Sequence, residues 1–238
     1  MIERHAGIGG MNTFIVHPER GGPHPVVLFF MDAPGIREEL RMMARRLASV
    51  GYYVMLPNLY HRSGVEELGN FIGEAGTETR KKMFALMGSL SIALVMEDAD
   101  RLVAHADADP AASKGPMGTL GYCMSGQYAI AAAARHPGRV RAAASIYGVR
   151  LKTDAPDSPH LAARKADAAL YVAWAEIDHY APLEELEPFR QSLEGLDAEV
   201  ELYRGVEHGF AFPERPAYDR DAAERHWERL FALYGKLR

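Results

Sequence analysis

Short apolar runs rich in β-formers alternate with helical patterns along almost the whole chain, and this alternation limits the fold more than any single residue. Val26 to Met31 is apolar at nearly every position instead of at every second one. Such a run suits a strand buried on both faces, as in a parallel sheet covered by helices. An amphipathic pattern follows from about Glu38 to Val50, Gly51 stops it, and Tyr52 to Leu56 returns to strand character. Thr13 to His17 reads as the first strand, and the turn-rich Pro57 to Gly76 as an active-site loop with one helical turn. Thr79 to Ala106 reads as helix, broken near Gly88-Ser89. Strands are expected at Met117–Gly121, Arg141–Tyr147, Ala169–Ala173 and Glu199–Tyr203. Helices are expected at Gly126–His136, near Leu161, at Leu183–Leu193 and at Tyr218–Leu237. The implied class is α/β, with a mostly parallel central sheet and helices on both faces. Right-handed crossovers then bring the functional loops to the carboxyl ends of the strands. At 238 residues the chain reads as a single domain, 1–238.

Charge and cysteine usage exclude several functions. Twenty-seven basic against 32 acidic residues give a formal charge of −5 with no basic run, so no nucleic-acid partner is expected. Met1 to Gly10 lacks the apolar core of a signal peptide, and the apolar runs are too short to span a membrane. A lone cysteine excludes an intramolecular disulfide and suits a reducing compartment, so a cytoplasmic protein is expected. There is no His-Glu-x-x-His, and His105-Ala-Asp107-Ala-Asp109 reads as a polar helix end; no metal and no cofactor are expected. Gly7-Ile8-Gly9-Gly10 precedes the first expected strand, so it reads as a flexible entry loop and not as a dinucleotide fingerprint.

The lone cysteine, Cys123, lies in Gly121-Tyr122-Cys123-Met124-Ser125-Gly126, between an expected strand and an expected helix. A nucleophile on such a sharp turn needs small neighbours, and a helix N-terminus beside it favours a thiolate. After the next-to-last strand comes Glu176-Ile177-Asp178-His179-Tyr180-Ala181-Pro182, and after the last comes Glu207-His208-Gly209-Phe210. Nucleophile, acid and histidine thus follow in order, each in a loop after a strand. Cys123 would attack an acyl carbon, His208 would move the proton, and Asp178 would fix the imidazole tautomer. Glu176 is a rival acid, nearer the strand. The Met124 N–H, just after the nucleophile, is the first expected oxyanion donor, and Ala33 is the second, since Pro34 has no N–H.

These three motifs, with His208-Gly209-Phe210-Ala211 and Leu56-Pro57-Asn58-Leu59-Tyr60, resemble the dienelactone hydrolase (carboxymethylenebutenolidase) family of α/β-hydrolases. The resemblance runs from Val26 to the final helix. It implies the α/β-hydrolase fold, a Cys123–His208–Asp178 triad, an acyl-enzyme, and a small ester or lactone as substrate. By the same resemblance Asp32 stands where the family has a glutamate that engages the resting cysteine. Arg80 corresponds to one of the arginines that hold a substrate carboxylate, and Phe212 stands where another would be. Tyr147 is expected as a pocket wall, with Tyr60 and Arg62 lining the cleft from the opposite loop. The missing arginine keeps a general carboxylesterase or thioesterase open as an alternative, and a binding protein on the same fold is a further one.

Overall fold

The computed structural model describes residues 1–68 and 77–238, so residues 69–76 of the expected Pro57–Gly76 loop lie outside the described residues. The chain forms two compact units, Met1–Gly115 and Pro116–Arg238.

In the first unit, β1 (Ile2–Ile8) and β2 (Met11–His17) form an antiparallel hairpin with Ile8 opposite Met11. The turn between them is Gly9-Gly10, with φ of 57° and 91°. Positive φ at both central residues matches the twist of a two-residue hairpin and favours glycine. This corrects the expected flexible entry loop. The sequence hides β1 because Ile2–Ile8 is largely exposed and carries no apolar alternation. Next come β3 (Val26–Phe30), α1 (Glu38–Ser49) and β4 (Tyr53–Pro57), with β4 parallel to β3 and antiparallel to β2. All five residues of β3 are fully buried, as its continuous apolar run requires. Helices α2 (Glu78–Gly88) and α3 (Ile92–Ala108) follow, capped by the Thr77 and Ser91 hydroxyls, with the break at the expected Gly88-Ser89.

The second unit is a parallel four-stranded sheet: β5 (Met117–Tyr122), β6 (Val140–Ile146), β7 (Ala169–Ile177) and β8 (Ala198–Glu207). Helices α4 (Gly126–Arg135), α5 (Pro159–Ala163), α6 (Leu186–Ser192) and α7 (Arg220–Gly235) complete it. Adjacent residues of β5 reveal the layering. Thr119 Oγ1 donates to Ala129 O of α4 at 2.9 Å, whereas a Cβ on Gly118 would meet the Tyr234 ring of α7 at 2.7 Å. Successive strand residues face opposite sides, so α4 and α7 cover the two faces of this sheet. Strands β7 and β8 run past their expected ends at Ala173 and Tyr203. Polar Glu176, Arg204 and Glu207 gave the sequence a loop-like look there, yet Ile177 still pairs with Glu207 across an irregularity after Ala175. Parallel pairing predominates, and the fold is α/β with a mostly parallel sheet.

Candidate active site

Register places four residues just past the ends of four neighbouring strands. Tyr122 pairs with Ile146, and Cys123 and Tyr147 are their immediate successors. Ile177 pairs with Glu207, and Asp178 and His208 are theirs. The His208 N–H also donates to Ile177 O at 3.2 Å.

Cys123 leaves β5 at a sharp turn with φ +54°. A β-carbon on Gly121 would lie 1.9 Å from Ser125 O, and one on Gly126 would lie 2.3 Å from Ser145 Oγ and 2.6 Å from Gly148 Cα. The turn therefore closes only with glycine at those positions, and α4 packs directly against β6. Tyr147 also has positive φ, 38°, and is held there by its N–H donating to Ala173 O at 2.7 Å. Left-handed backbone at two non-glycine residues costs about 1–3 kcal/mol each and concentrates where a site is built.

Asp178 is buried, and its carboxylate is fully engaged. Oδ1 accepts the N–H of Tyr180 at 2.8 Å and of Ala181 at 3.2 Å, while Oδ2 accepts from His208 Nδ1 at 2.6 Å. Cys123 acts on the same imidazole. Burial disfavours the charged ring. The Coulombic pull of Cys123 and Asp178, with hydrogen bonds to both, more than offsets it and raises His208 from its ordinary 6.5 to about 10. The rival Glu176 is turned to other work: it accepts the Gly205 N–H at 2.6 Å and faces Arg204 at 3.4 Å.

Aromatic rings enclose the imidazole. Tyr147 lies 4.8 Å from His208 between centroids and Tyr180 lies 5.0 Å from it. Phe212 is 1% exposed and packs 6.1 Å from Tyr147 and 5.1 Å from Tyr122, with the Arg215 guanidinium 5.8 Å from its ring centroid. Met124 is buried in the 3-10 turn Cys123–Ser125, and its carbonyl accepts from Gln127 at 2.9 Å.

The remaining expected residues belong to the first unit. Asp32 is 2% exposed and held by both terminal nitrogens of Arg37, at 2.5 and 3.1 Å, and Arg37 also binds Glu39. Tyr60 is buried and donates to Ala33 O at 2.6 Å. Arg62 forks onto the buried Asp98 at 2.6 and 2.8 Å. Arg80 sits in the first turn of α2, its guanidinium 5.6 Å from the Phe84 ring centroid. Among the described residues, no group of three His, Cys, Asp or Glu side chains gathers to hold a metal, and no helix is long and apolar enough to cross a membrane.

Sequence reasoning missed Tyr180, Arg37 and His226. Tyr180 was part of the quoted loop, but exposure and ring contact cannot be read from a string. His226 is fully buried: its Nδ1 donates to Ala223 O and its Nε2 accepts from Tyr122 Oη at 2.9 Å, just before the cysteine. Its spacing from the buried Ala222 and Leu230 on α7, i±4, is the signal that could have found it.

Comparison with known proteins agrees over nearly the full length. A model of the dienelactone hydrolase family matches residues 11–237. A candidate carboxymethylenebutenolidase of Methylorubrum extorquens is 28% identical over 237 residues, covering 95% of this chain and 78% of that protein. The carboxymethylenebutenolidase of Rhodococcus opacus is 28% identical over 225 residues, covering 90% of this chain and 81% of that one. The crystal structure of a candidate dienelactone hydrolase from Klebsiella pneumoniae superposes with a TM-score of 0.84 at 25% identity, covering 98% of this chain and 97% of that one.

Proposed function

The chain belongs to the dienelactone hydrolase family and is a hydrolase of ester or lactone bonds, and from that premise we propose that it works through Cys123, His208 and Asp178 by way of an acyl-enzyme. The reading is supported by one observation, the Asp178 carboxylate bonded to His208 Nδ1 at 2.6 Å with Cys123 acting on the same imidazole. With Nδ1–H donating to Asp178, Nε2 is the ring nitrogen left to exchange a proton with the sulfur. A resting imidazolium–thiolate pair is what the raised basicity of His208 favours.

The Cys123 thiolate adds to the acyl carbon, and the carbonyl electrons move to oxygen. The Met124 N–H, next to the nucleophile, donates to that oxyanion. The C–O bond then breaks as His208 Nε2–H protonates the departing alkoxide, leaving a thioester on Cys123 and a neutral imidazole. His208 next takes a proton from water, the hydroxide adds to the thioester carbon, and the thiolate departs. The product acid and the resting pair are restored. Asp178 holds the ring in the tautomer that both proton transfers need.

Rapid-quench mass spectrometry with a slowly deacylated ester is expected to find the acyl group on Cys123. Cys123→Ala is expected to lose at least about 10³-fold in turnover with the fold retained by circular dichroism. Substantial ester hydrolysis by purified Cys123→Ala protein would sink the proposal.

A further inference from the structure

The loop that supplies Asp178 carries a second feature that the triad does not use. Among the described residues, ten large apolar side chains are exposed, and three of them, Ile177 at the end of β7 with Tyr180 and Leu183 after it, fall within seven consecutive positions. Tyr180 is 47% exposed, yet its ring meets the His208 imidazole at 5.0 Å in an edge-on contact. Tyr147, on the same imidazole, is 1% exposed and belongs to the packed interior. Of the two tyrosines that touch the ring, Tyr180 is the one with a face open to an incoming molecule.

Its position is also fixed in advance. Asp178 Oδ1 holds the Tyr180 and Ala181 N–H groups, and Trp174 Nε1 donates to Ala181 O at 2.9 Å. A ring already ordered by its backbone loses little entropy when a ligand packs on it.

Chemistry assigns the side of the substrate that meets this ring. In ester cleavage the imidazole gives its proton to the leaving alcohol, so the leaving group must sit against His208 while the acyl group is bonded to the sulfur. An exposed aromatic ring abutting His208 is therefore on the leaving-group side. Glu184 and Glu185, both exposed, follow in the same loop and disfavour an anionic group there. We propose that Tyr180 is a specificity-determining residue for the leaving group, and that it selects esters of neutral aromatic alcohols by ring-on-ring packing. The inference rests on the triad reading, since it takes His208 as the proton donor.

The test compares phenyl butanoate with ethyl butanoate in the parent, Tyr180→Ala and Tyr180→Phe proteins. Both esters give the same butanoyl-enzyme, so the ratio of their kcat/KM values reports acylation alone and deacylation cancels. Differences in intrinsic ester reactivity cancel when the ratio is compared between proteins. Tyr180→Ala is expected to lower the phenyl-to-ethyl ratio about tenfold, the size of one lost aromatic contact with its buried area, and Tyr180→Phe is expected to restore it. A merely structural role for Tyr180 would slow both esters equally. An unchanged ratio in Tyr180→Ala overturns the inference, whatever the absolute rates. The triad reading is checked separately by the thioester on Cys123, so loss of that adduct with a shifted ratio would sink the triad and leave a recognition role for Tyr180 in need of another proton donor.

Discussion

At the scale of the residue, the engagement of Asp178 decides what an amide in its place would do. Two backbone N–H groups fix Oδ1, so the amide oxygen of an asparagine would stay with them and its NH2 would point at His208 Nδ1. That ring nitrogen would have to become an acceptor, the proton would move to Nε2, and the neutral imidazole could no longer take a proton from water. Asp178→Asn is therefore expected to lower kcat/KM roughly 10²- to 10⁴-fold. Glu176→Gln is expected to leave the rate close to the parent's, because Glu176 serves the Gly205 turn. Steady-state kinetics on the two variants checks the assignment, and a reversed order would move the acid to Glu176.

Elements differ in how plainly their sequences announced them. Strands β3 and β5 and helices α3 and α4 carry strong apolar patterns, and each lies within a few residues of its expected span. The order of cysteine, acid and histidine was equally legible, because short motifs at strand ends survive without any knowledge of packing. What sequence could not supply was partnership. Strand β1 buries only Ile8 fully, so its hydrogen bonds to β2 are what define it. The last turns of β7 and β8 look polar and are ordered by pairing with each other. Asp32 stands by resemblance where the family has a glutamate, and that its carboxylate is clasped by Arg37, five positions on, is a partnership nothing in the string announces. The hairpin offers a direct test. Gly10 has φ +91°, and a β-carbon there would also come within 3.2 Å of His61 Nδ1. Gly10→Ala is expected to cost about 1 kcal/mol or more, read by chemical denaturation, with Asp178 and His208 geometry untouched within their own unit.

For the molecule as a whole, histidines of opposite character set the response of stability to pH. His24 is buried, and burial holds it below its ordinary value against the pull of the Pro18 carbonyl, with His17 6.0 Å away lowering it further. His160 is lowered too, by burial and by Lys152. The unfolded chain binds these protons more readily, so their contribution is complete above about pH 6.5 and is lost as pH falls below it. His208 acts in the other sense: its contribution is present below about pH 6.5 and is lost as pH rises through about 10. From pH 7 to 5 His24 and His160 act to lower the melting temperature while His208 acts to raise it, and His24→Gln is expected to remove part of the downward slope even if it lowers stability at every pH. The same slope in variant and parent would remove His24 from the account. The left-handed backbone at Cys123 and Tyr147 bears on the same total. Glycine would occupy either position without the penalty of a β-carbon. A chain shaped for robustness alone would place glycine at 123, so under the proposed mechanism part of this fold's attainable stability is forgone to hold a sulfur atom at the turn, and variants that give up that sulfur have an easy route to becoming sturdier proteins.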